Sequence, residues 1–321
     1  MTYTPEVITL LALDALFLIL ATLCVILSIS IVRSWDMNAT TSFQYTLEKR
    51  AVLVATFVKY IFFLKLPLFL FFIFTSDKIS GVITGAMCAA GVVNSVNFGM
   101  YLLILKLINL YLFGLWLVLH VKDLKDEKRA LTKKKFILFI LGYLFLLIEV
   151  FYEFGFFNSL DIDKIVSCCG TLFSAATSSS LSLIFELENY QTLLLFYSLF
   201  ALHLITLYTK SASMGIGSSV LFLIISIISL ILFFGTYIYE LPTHHCPFCF
   251  LQKDYYYVGY LIYVTLFCAT FFSFSGGIIA LLTQEQVSKK LYNISFVFTI
   301  LFTLLVSAYP LIYFLRNGVW L

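Results

Sequence analysis

The sequence contains few charged residues. Asp, Glu, Lys and Arg make up 12% of the chain and hydrophobic residues 62%, whereas a soluble domain has about 25% charged residues. A chain this poor in charge cannot cover a water-exposed surface, so a soluble globular protein is excluded. The mean hydropathy of +1.03 instead predicts a multi-pass protein whose main partner is the lipid bilayer. The net charge of +3 is too small to indicate a nucleic-acid partner.

Several motifs of common enzyme classes are also missing. The sequence has no Gly-rich phosphate-binding loop, no HExxH helix and no Ser/His/Asp nucleophile set, so hydrolase and nucleotide-driven functions have no support. It contains only five Met residues, too few for the methionine ladders that are common in copper permeases. This scarcity favours metal binding over metal transport.

Eight apolar runs reach the roughly 20 residues that a helix needs to cross the hydrocarbon core. The predicted spans are 7–32, 51–75, 98–121, 136–157, 190–209, 218–240, 256–282 and 291–314. The first run is longer than the apolar region of a signal peptide, so we expect it to be a retained span. We therefore predict an all-α, polytopic transmembrane helical bundle that forms a single integral membrane domain over residues 1–321.

Two segments do not fit the pattern of a full span. Residues 79–97 are rich in small side chains and contain two Asn residues near their end, which predicts a short re-entrant segment or half-helix. Residues 166–189 combine a Ser/Thr/Gly-rich centre with two Glu residues. We interpret that segment as a loop or surface-lying segment, with a ninth span as the alternative.

Orientation follows from the distribution of Lys and Arg. The 122–135 loop is strongly basic, and short cytoplasmic loops carry the excess of basic residues. Placing that loop inside puts most other Lys and Arg residues inside as well. It places both termini and the loops 76–97, 158–189 and 241–255 outside. We expect a bacterial inner-membrane protein with both termini in the periplasm.

The outward-facing loops collect most of the cysteines. They carry five of the seven: Cys88, Cys168, Cys169, Cys246 and Cys249. In an oxidising periplasm such thiols are expected to be paired, metal-bound or catalytic. Structural disulfides would explain some of them. Five is an odd number, however, and a bond between the adjacent Cys168 and Cys169 would be strained and labile.

The densest group of reactive side chains is HHCPFC, in which His244 and His245 precede Cys246 and Cys249. A Cys-x-x-Cys pair can form a disulfide, and an adjacent imidazolium would raise the thiolate fraction of Cys246. The same four side chains supply N and S ligands suited to Cu(I) or Zn. The motif alone is compatible with both kinds of chemistry.

Three resemblances bear on these motifs. The CPFC tetrapeptide resembles the redox motif of glutaredoxin-like proteins over four residues. Outward-facing cysteines above a helical bundle are similar in layout to vitamin K epoxide reductase and the bacterial disulfide-forming membrane proteins, which implies thiol redox chemistry coupled to a quinone. The motifs GAMC, SCCG and HHCPFC together resemble an uncharacterised group of bacterial polytopic inner-membrane proteins, a likeness that implies no function.

Ionisable residues also fall inside the predicted spans. Lys59 lies close enough to the inner surface to reach it, and the deeper ones are Asp14, Lys65, Lys106, Glu149 and Glu153. Each costs roughly 2.5–3.5 kcal/mol to insert at the centre of a membrane helix, so each needs a partner or a purpose. Two cations and three anions can form ion pairs that hold the first four helices together. The alternative is a proton relay, or an anchor for a quinone or another anionic group.

These features support three functional hypotheses. The first is a membrane thiol–disulfide oxidoreductase in which Cys246 and Cys249 exchange with a periplasmic thiol protein. Cys168, Cys169 or Cys88 would then pass electrons on, with a quinone as acceptor. The second is a copper- or zinc-binding protein that uses the ligands of HHCPFC. The third is a structural subunit of a membrane complex. The sequence ranks the redox hypothesis first.

Overall fold

The computed structural model describes residues 4–36, 39, 41–126, 129–161, 166 and 188–321. Cys168 and Cys169 lie outside the described residues. So does most of the 166–189 segment, and the choice between a loop and a ninth span stays a prediction.

Nine helices form the described part of the chain. They are α1 (Pro5–Ser34), α2 (Ser42–Ser80), α3 (Ala89–Ser95), α4 (Gly99–Lys125), α5 (Thr132–Asn158), α6 (Asn189–Thr209), α7 (Ala212–Tyr239), α8 (Val258–Thr283) and α9 (Lys289–Asn317). All except the seven-residue α3 are long and apolar enough to cross a membrane. The predicted all-α, multi-pass architecture is therefore confirmed, and α3 matches the short helix expected within 79–97.

The helix ends follow local sequence signals. Helix α1 begins at Pro5, whose missing N–H costs nothing in the first turn. The Thr41 hydroxyl accepts a hydrogen bond from the Gln44 N–H and caps α2. Helix α2 begins nine residues before the predicted span 51–75. The apolar-run criterion excluded these nine residues because they end in the charged Glu48, Lys49 and Arg50, although these residues are good helix formers.

By its internal contacts the chain divides into two compact units. The first unit contains α1, α2, α4 and α5. The second contains residues Gly85–Gly91, which include the start of α3, together with α6, α7, α8 and α9. The single integral membrane domain stays a prediction.

Aromatic side chains form much of the core of the first unit. The Phe62 ring stacks on Phe113 with centroids 4.3 Å apart and packs edge-on against Trp116 at 5.4 Å. The Trp116 indole N–H donates a hydrogen bond to the Lys135 carbonyl at 3.1 Å. These contacts connect α2, α4 and α5 and satisfy a polar group that burial would otherwise leave unpaired.

The second unit combines an aromatic core with close helix packing. Phe196 packs against Phe222 and Phe234 with ring centroids 5.9 and 5.0 Å away. At Gly277 of α8, a Cβ atom would lie 2.7 Å from the Ala212 carbonyl oxygen of α7. A side chain at this position would push the two helices apart, as is usual where small residues line a membrane helix interface.

Candidate metal centre

Three cysteine side chains meet in the second unit. The Sγ atoms of Cys88, Cys246 and Cys249 all lie within 4.8 Å of one another. Those of Cys88 and Cys246, which are 158 positions apart in sequence, are separated by 3.5 Å. The three residues are 0%, 1% and 5% exposed. This geometry confirms the expected convergence of Cys88 with the Cys-x-x-Cys pair.

A tight turn positions Cys88. Gly85 has a φ of +88°, and a Cβ atom there would lie 2.2 Å from the Val166 carbonyl oxygen. Only glycine fits this close approach at a positive φ. The side-chain amide of Gln252 donates a hydrogen bond to the Met87 carbonyl at 2.9 Å. This bond connects the turn that carries Cys88 to the segment that carries Cys249.

Backbone groups organise the Cys-x-x-Cys segment. The Phe248 N–H donates a hydrogen bond to Cys246 Sγ at 3.4 Å. The Tyr263 hydroxyl donates to the Pro247 carbonyl at 2.6 Å. A backbone N–H directed at a sulfur stabilises negative charge on it, as a metal-bound thiolate requires. The turn therefore holds Cys246 in a conformation suited to metal binding.

Tyr239, the last residue of α7, stabilises this turn through two hydrogen bonds. Its hydroxyl donates a hydrogen bond to the Cys246 carbonyl and accepts one from the Phe250 N–H at 3.1 Å. Both backbone groups belong to buried residues, so they depend on the hydroxyl for partners. Tyr239 thus fixes the backbone on both sides of Cys249.

Replacing Tyr239 with phenylalanine tests this role. We expect a loss of about 1–3 kcal/mol in the free energy of unfolding, because the Cys246 carbonyl and the Phe250 N–H both lose a partner. We also expect weaker binding of added Zn(II), measured by chelator competition. The control is Tyr256→Phe in the same loop, where the side chain is 92% exposed. Equal stability and equal metal affinity in the two variants would contradict the proposed role of the hydroxyl.

His244 lies two positions before the Cys-x-x-Cys segment, but its ring nitrogens are not in the group of ligand atoms that all lie within 4.8 Å of one another. Its ring packs edge-on against Tyr239 with centroids 4.3 Å apart, and it interacts electrostatically with Cys88. Its Nε2 atom is buried and has no hydrogen-bond partner among the described residues. Burial is the main cause that lowers the pKa of His244 below its usual value, with a smaller contribution from His245 in the same direction. The ring is therefore neutral at neutral pH, unlike the imidazolium that we expected to activate Cys246.

His245 makes a different contact. Its Nδ1 lies 2.9 Å from the Ile231 carbonyl, within the π-helical turn Leu230–Phe234 of α7. A π-helical turn interrupts the regular hydrogen-bond ladder of a helix and often occurs at functional sites. His245 uses this nitrogen to anchor the loop to α7. Of the two predicted histidine ligands, only His244 has a buried nitrogen without a partner.

The charged residues predicted within spans form a separate cluster in the first unit. Lys65 Nζ lies 2.7 Å from Asp14 and 2.9 Å from Glu149. Lys106 Nζ lies 2.9 Å from Glu149 and 2.6 Å from Glu153. All five residues are buried. The expected ion pairing is confirmed, whereas a role in binding a quinone stays a prediction.

Sequence reasoning missed the supporting residues Tyr239, Tyr263 and Gln252. Two of them are among 20 tyrosines in the chain, and none belongs to a recognisable motif. Comparisons with protein-family models, curated proteins and solved structures find no match. The resemblances based on short motifs therefore stay predictions, and the function has to be argued from the geometry of the site.

Proposed function

We propose that this chain is a metal-binding integral membrane protein, in which Cys88, Cys246 and Cys249 bind a thiophilic ion, Zn(II) or Cu(I). The observation that carries the proposal is the convergence of three buried sulfur atoms within 4.8 Å. Thiolates are soft ligands that select these ions over Mg²⁺ or Ca²⁺. The site lies in the part of the chain where the sequence predicts Cu or Zn ligands.

The distances agree with coordination of one ion. A Zn–S bond of about 2.3 Å in a tetrahedral site places two sulfur ligands about 3.8 Å apart. The Sγ–Sγ distance of 3.5 Å between Cys88 and Cys246 is close to this value. The other two Sγ–Sγ distances are at most 4.8 Å. Small side-chain rotations would bring all three sulfurs to bonding distance of a central ion.

His244 is the proposed fourth ligand; its ring lies outside the group of three sulfurs, so a side-chain rotation would have to bring Nε2 to the ion. Its buried Nε2 has no partner among the described residues, and a buried polar atom without a partner costs about 1–3 kcal/mol. Coordination would remove that cost and complete a Cys₃His set, a common structural zinc site. Such a set leaves no open coordination position, so the geometry favours holding an ion over metal-assisted hydrolysis. The sidedness of the basic loops supports a periplasmic location in a bacterial inner membrane.

A second candidate is thiol redox chemistry, favoured by the 3.5 Å contact between Cys88 and Cys246. These two thiols would form one disulfide and release two protons and two electrons to a quinone or to a partner's disulfide. The pair differs from the Cys246–Cys249 pair expected from the sequence. Attack on a partner protein requires an accessible thiol, and the two residues are only 0% and 1% exposed. Metal binding therefore ranks first.

Elemental analysis of the purified full-length protein, combined with counting of its free thiols, separates these candidates. Metal binding predicts one Zn or Cu per chain, with the cluster thiols protected from alkylation until a chelator is added. Redox chemistry predicts no stoichiometric ion and two thiols that react only after reduction. A His244→Ala variant distinguishes the two ions. Zn(II) held by four ligands should bind much more weakly, whereas Cu(I) held by sulfur alone should be retained.

A further inference from the structure

The buried charges of the first unit do not balance. The cluster contains two ammonium groups, on Lys65 and Lys106, and three carboxyl groups, on Asp14, Glu149 and Glu153. If every group is ionised, the cluster carries one net negative charge. An unbalanced charge among membrane-spanning helices is expensive because no bulk water solvates it. Either a bound cation or a proton on one carboxyl group must therefore neutralise the cluster.

The hydrogen bonds show which carboxyl group is already satisfied. Glu149 Oε1 accepts from both Lys65 and Lys106 at 2.9 Å. Glu149 Oε2 accepts from the side-chain amide of Asn109. Glu149 thus has donors on both oxygens and is held as a carboxylate.

The other two carboxyl groups are each satisfied on one side only. Asp14 Oδ1 accepts from Lys65 at 2.7 Å, and Glu153 Oε2 accepts from Lys106 at 2.6 Å. Their second oxygens, Asp14 Oδ2 and Glu153 Oε1, are buried and have no partner among the described residues. One carboxylate oxygen of Asp14 and one of Glu153 lie within 4.8 Å of each other. Two neighbouring carboxyl groups therefore each have one oxygen without a donor.

We infer that Asp14 and Glu153 bind one proton between them. A proton on either residue makes it a donor to the other, which satisfies both unpartnered oxygens at once. It also reduces the net charge of the cluster to zero, with two ammonium groups, two carboxylates and one carboxylic acid. A proton fits better than Mg²⁺ or Ca²⁺, because two carboxylate oxygens of this cluster lack a partner and these cations take about six or more oxygen ligands. This proton site is independent of the cysteine cluster in the second unit.

A small cavity adjoins the cluster. Its volume is about 10 Å³, and its lining includes Lys65, Lys106, Asn109 and Glu149. This is close to the smallest volume, roughly 10–15 Å³, that can hold one water molecule. Asp14 and Glu153 are not among its lining residues, so the assignment of the proton rests on the unpartnered carboxyl oxygens.

Infrared spectroscopy of the full-length protein tests this inference. A protonated carboxyl group gives a carbonyl stretching band that is separate from the carboxylate bands and shifts in D₂O. We expect such a band at neutral pH in the wild-type protein and its loss in Glu153→Gln. The glutamine amide in Glu153→Gln has nearly the same shape as the carboxyl group that it replaces. It can donate to Asp14 and accept from Lys106, so this variant should fold. Asp14→Asn removes the other half of the pair and should lose the same band.

The matched control is Asp123→Asn. Asp123 is a buried carboxylate of the same unit that pairs with Lys135 and accepts from Thr132, so one cation already balances it. This variant should keep the band. A wild-type protein without the band, or a band that persists in both Glu153→Gln and Asp14→Asn, would overturn the inference. Loss of thermal stability on removing Na⁺, together with no band, would also overturn it and assign the missing charge to a bound sodium ion.

Discussion

Replacing Cys88 with serine should abolish stoichiometric metal binding. A serine hydroxyl is a poor ligand for a thiophilic ion, and the variant retains only two of the three clustered sulfurs. Changes in outer-shell residues already reduce metal affinity by 10–100-fold, so loss of a direct ligand should cost at least about 100-fold. Elemental analysis and chelator competition on the purified full-length protein measure this effect. Cys246→Ser and Cys249→Ser should behave in the same way.

Cys268→Ser is the matched control for these variants. Cys268 lies in α8 of the same unit but does not belong to the group of three sulfurs within 4.8 Å of one another. The substitution makes the same exchange of sulfur for oxygen, and the bound ion should be retained. If Cys88→Ser binds the ion as tightly as the wild type, the three sulfurs are not its ligands. An equal loss in Cys268→Ser would indicate a general effect of cysteine replacement.

Replacing Lys65 with methionine should cause the largest loss of stability in the first unit. Lys65 is the shared partner of Asp14 and Glu149, and the change leaves three carboxyl groups with a single ammonium group. Removing one partner of a buried ion pair costs about 3–5 kcal/mol, because the remaining charge stays in a low-dielectric environment. The free energy of unfolding, measured in detergent or lipid, reports this cost.

Lys78→Met provides the comparison for this measurement. Lys78 also belongs to α2 and pairs with a residue of α1, Glu6, but its side chain is 58% exposed. Exposed ion pairs contribute little to stability, so the unfolding midpoint should hardly change. Adding Asp14→Asn to Lys65→Met should restore part of the lost stability, because it removes an uncompensated carboxylate. Wild-type stability in Lys65→Met would show that the ion pairs do not hold this unit together.

The two proposals rest on two different groups of side chains. Sulfur and imidazole ligands in the second unit match a soft metal ion. Paired ammonium and carboxyl groups in the first unit match a proton. The measurements for the two are separate, since metal content does not report on a protonated carboxyl group. Either proposal can therefore fail without affecting the other.

The sequence alone determined which segments form long apolar helices. The free energies of transferring side chains into hydrocarbon add up roughly along a run, so hydropathy located the eight spans. The small residues of 79–97 predicted the short helix after α2. Hydropathy also showed that the charges in the first four long helices need partners, because an isolated charge in lipid is too costly. Placing Cys88 and Cys246 on the same side of those spans predicted that the two could meet.

Only the tertiary structure decided how the side chains meet. Packing of the helices and loops brings Cys88 Sγ to 3.5 Å from Cys246 Sγ and gives Tyr239 its two backbone contacts. It partly buries the His244 ring, which lowers the pKa of this imidazole. It also leaves one oxygen each of Asp14 and Glu153 without a donor. Hydropathy depends on the residues of one segment, whereas these contacts depend on how different segments fold against one another, which the hydropathy of a single segment does not encode.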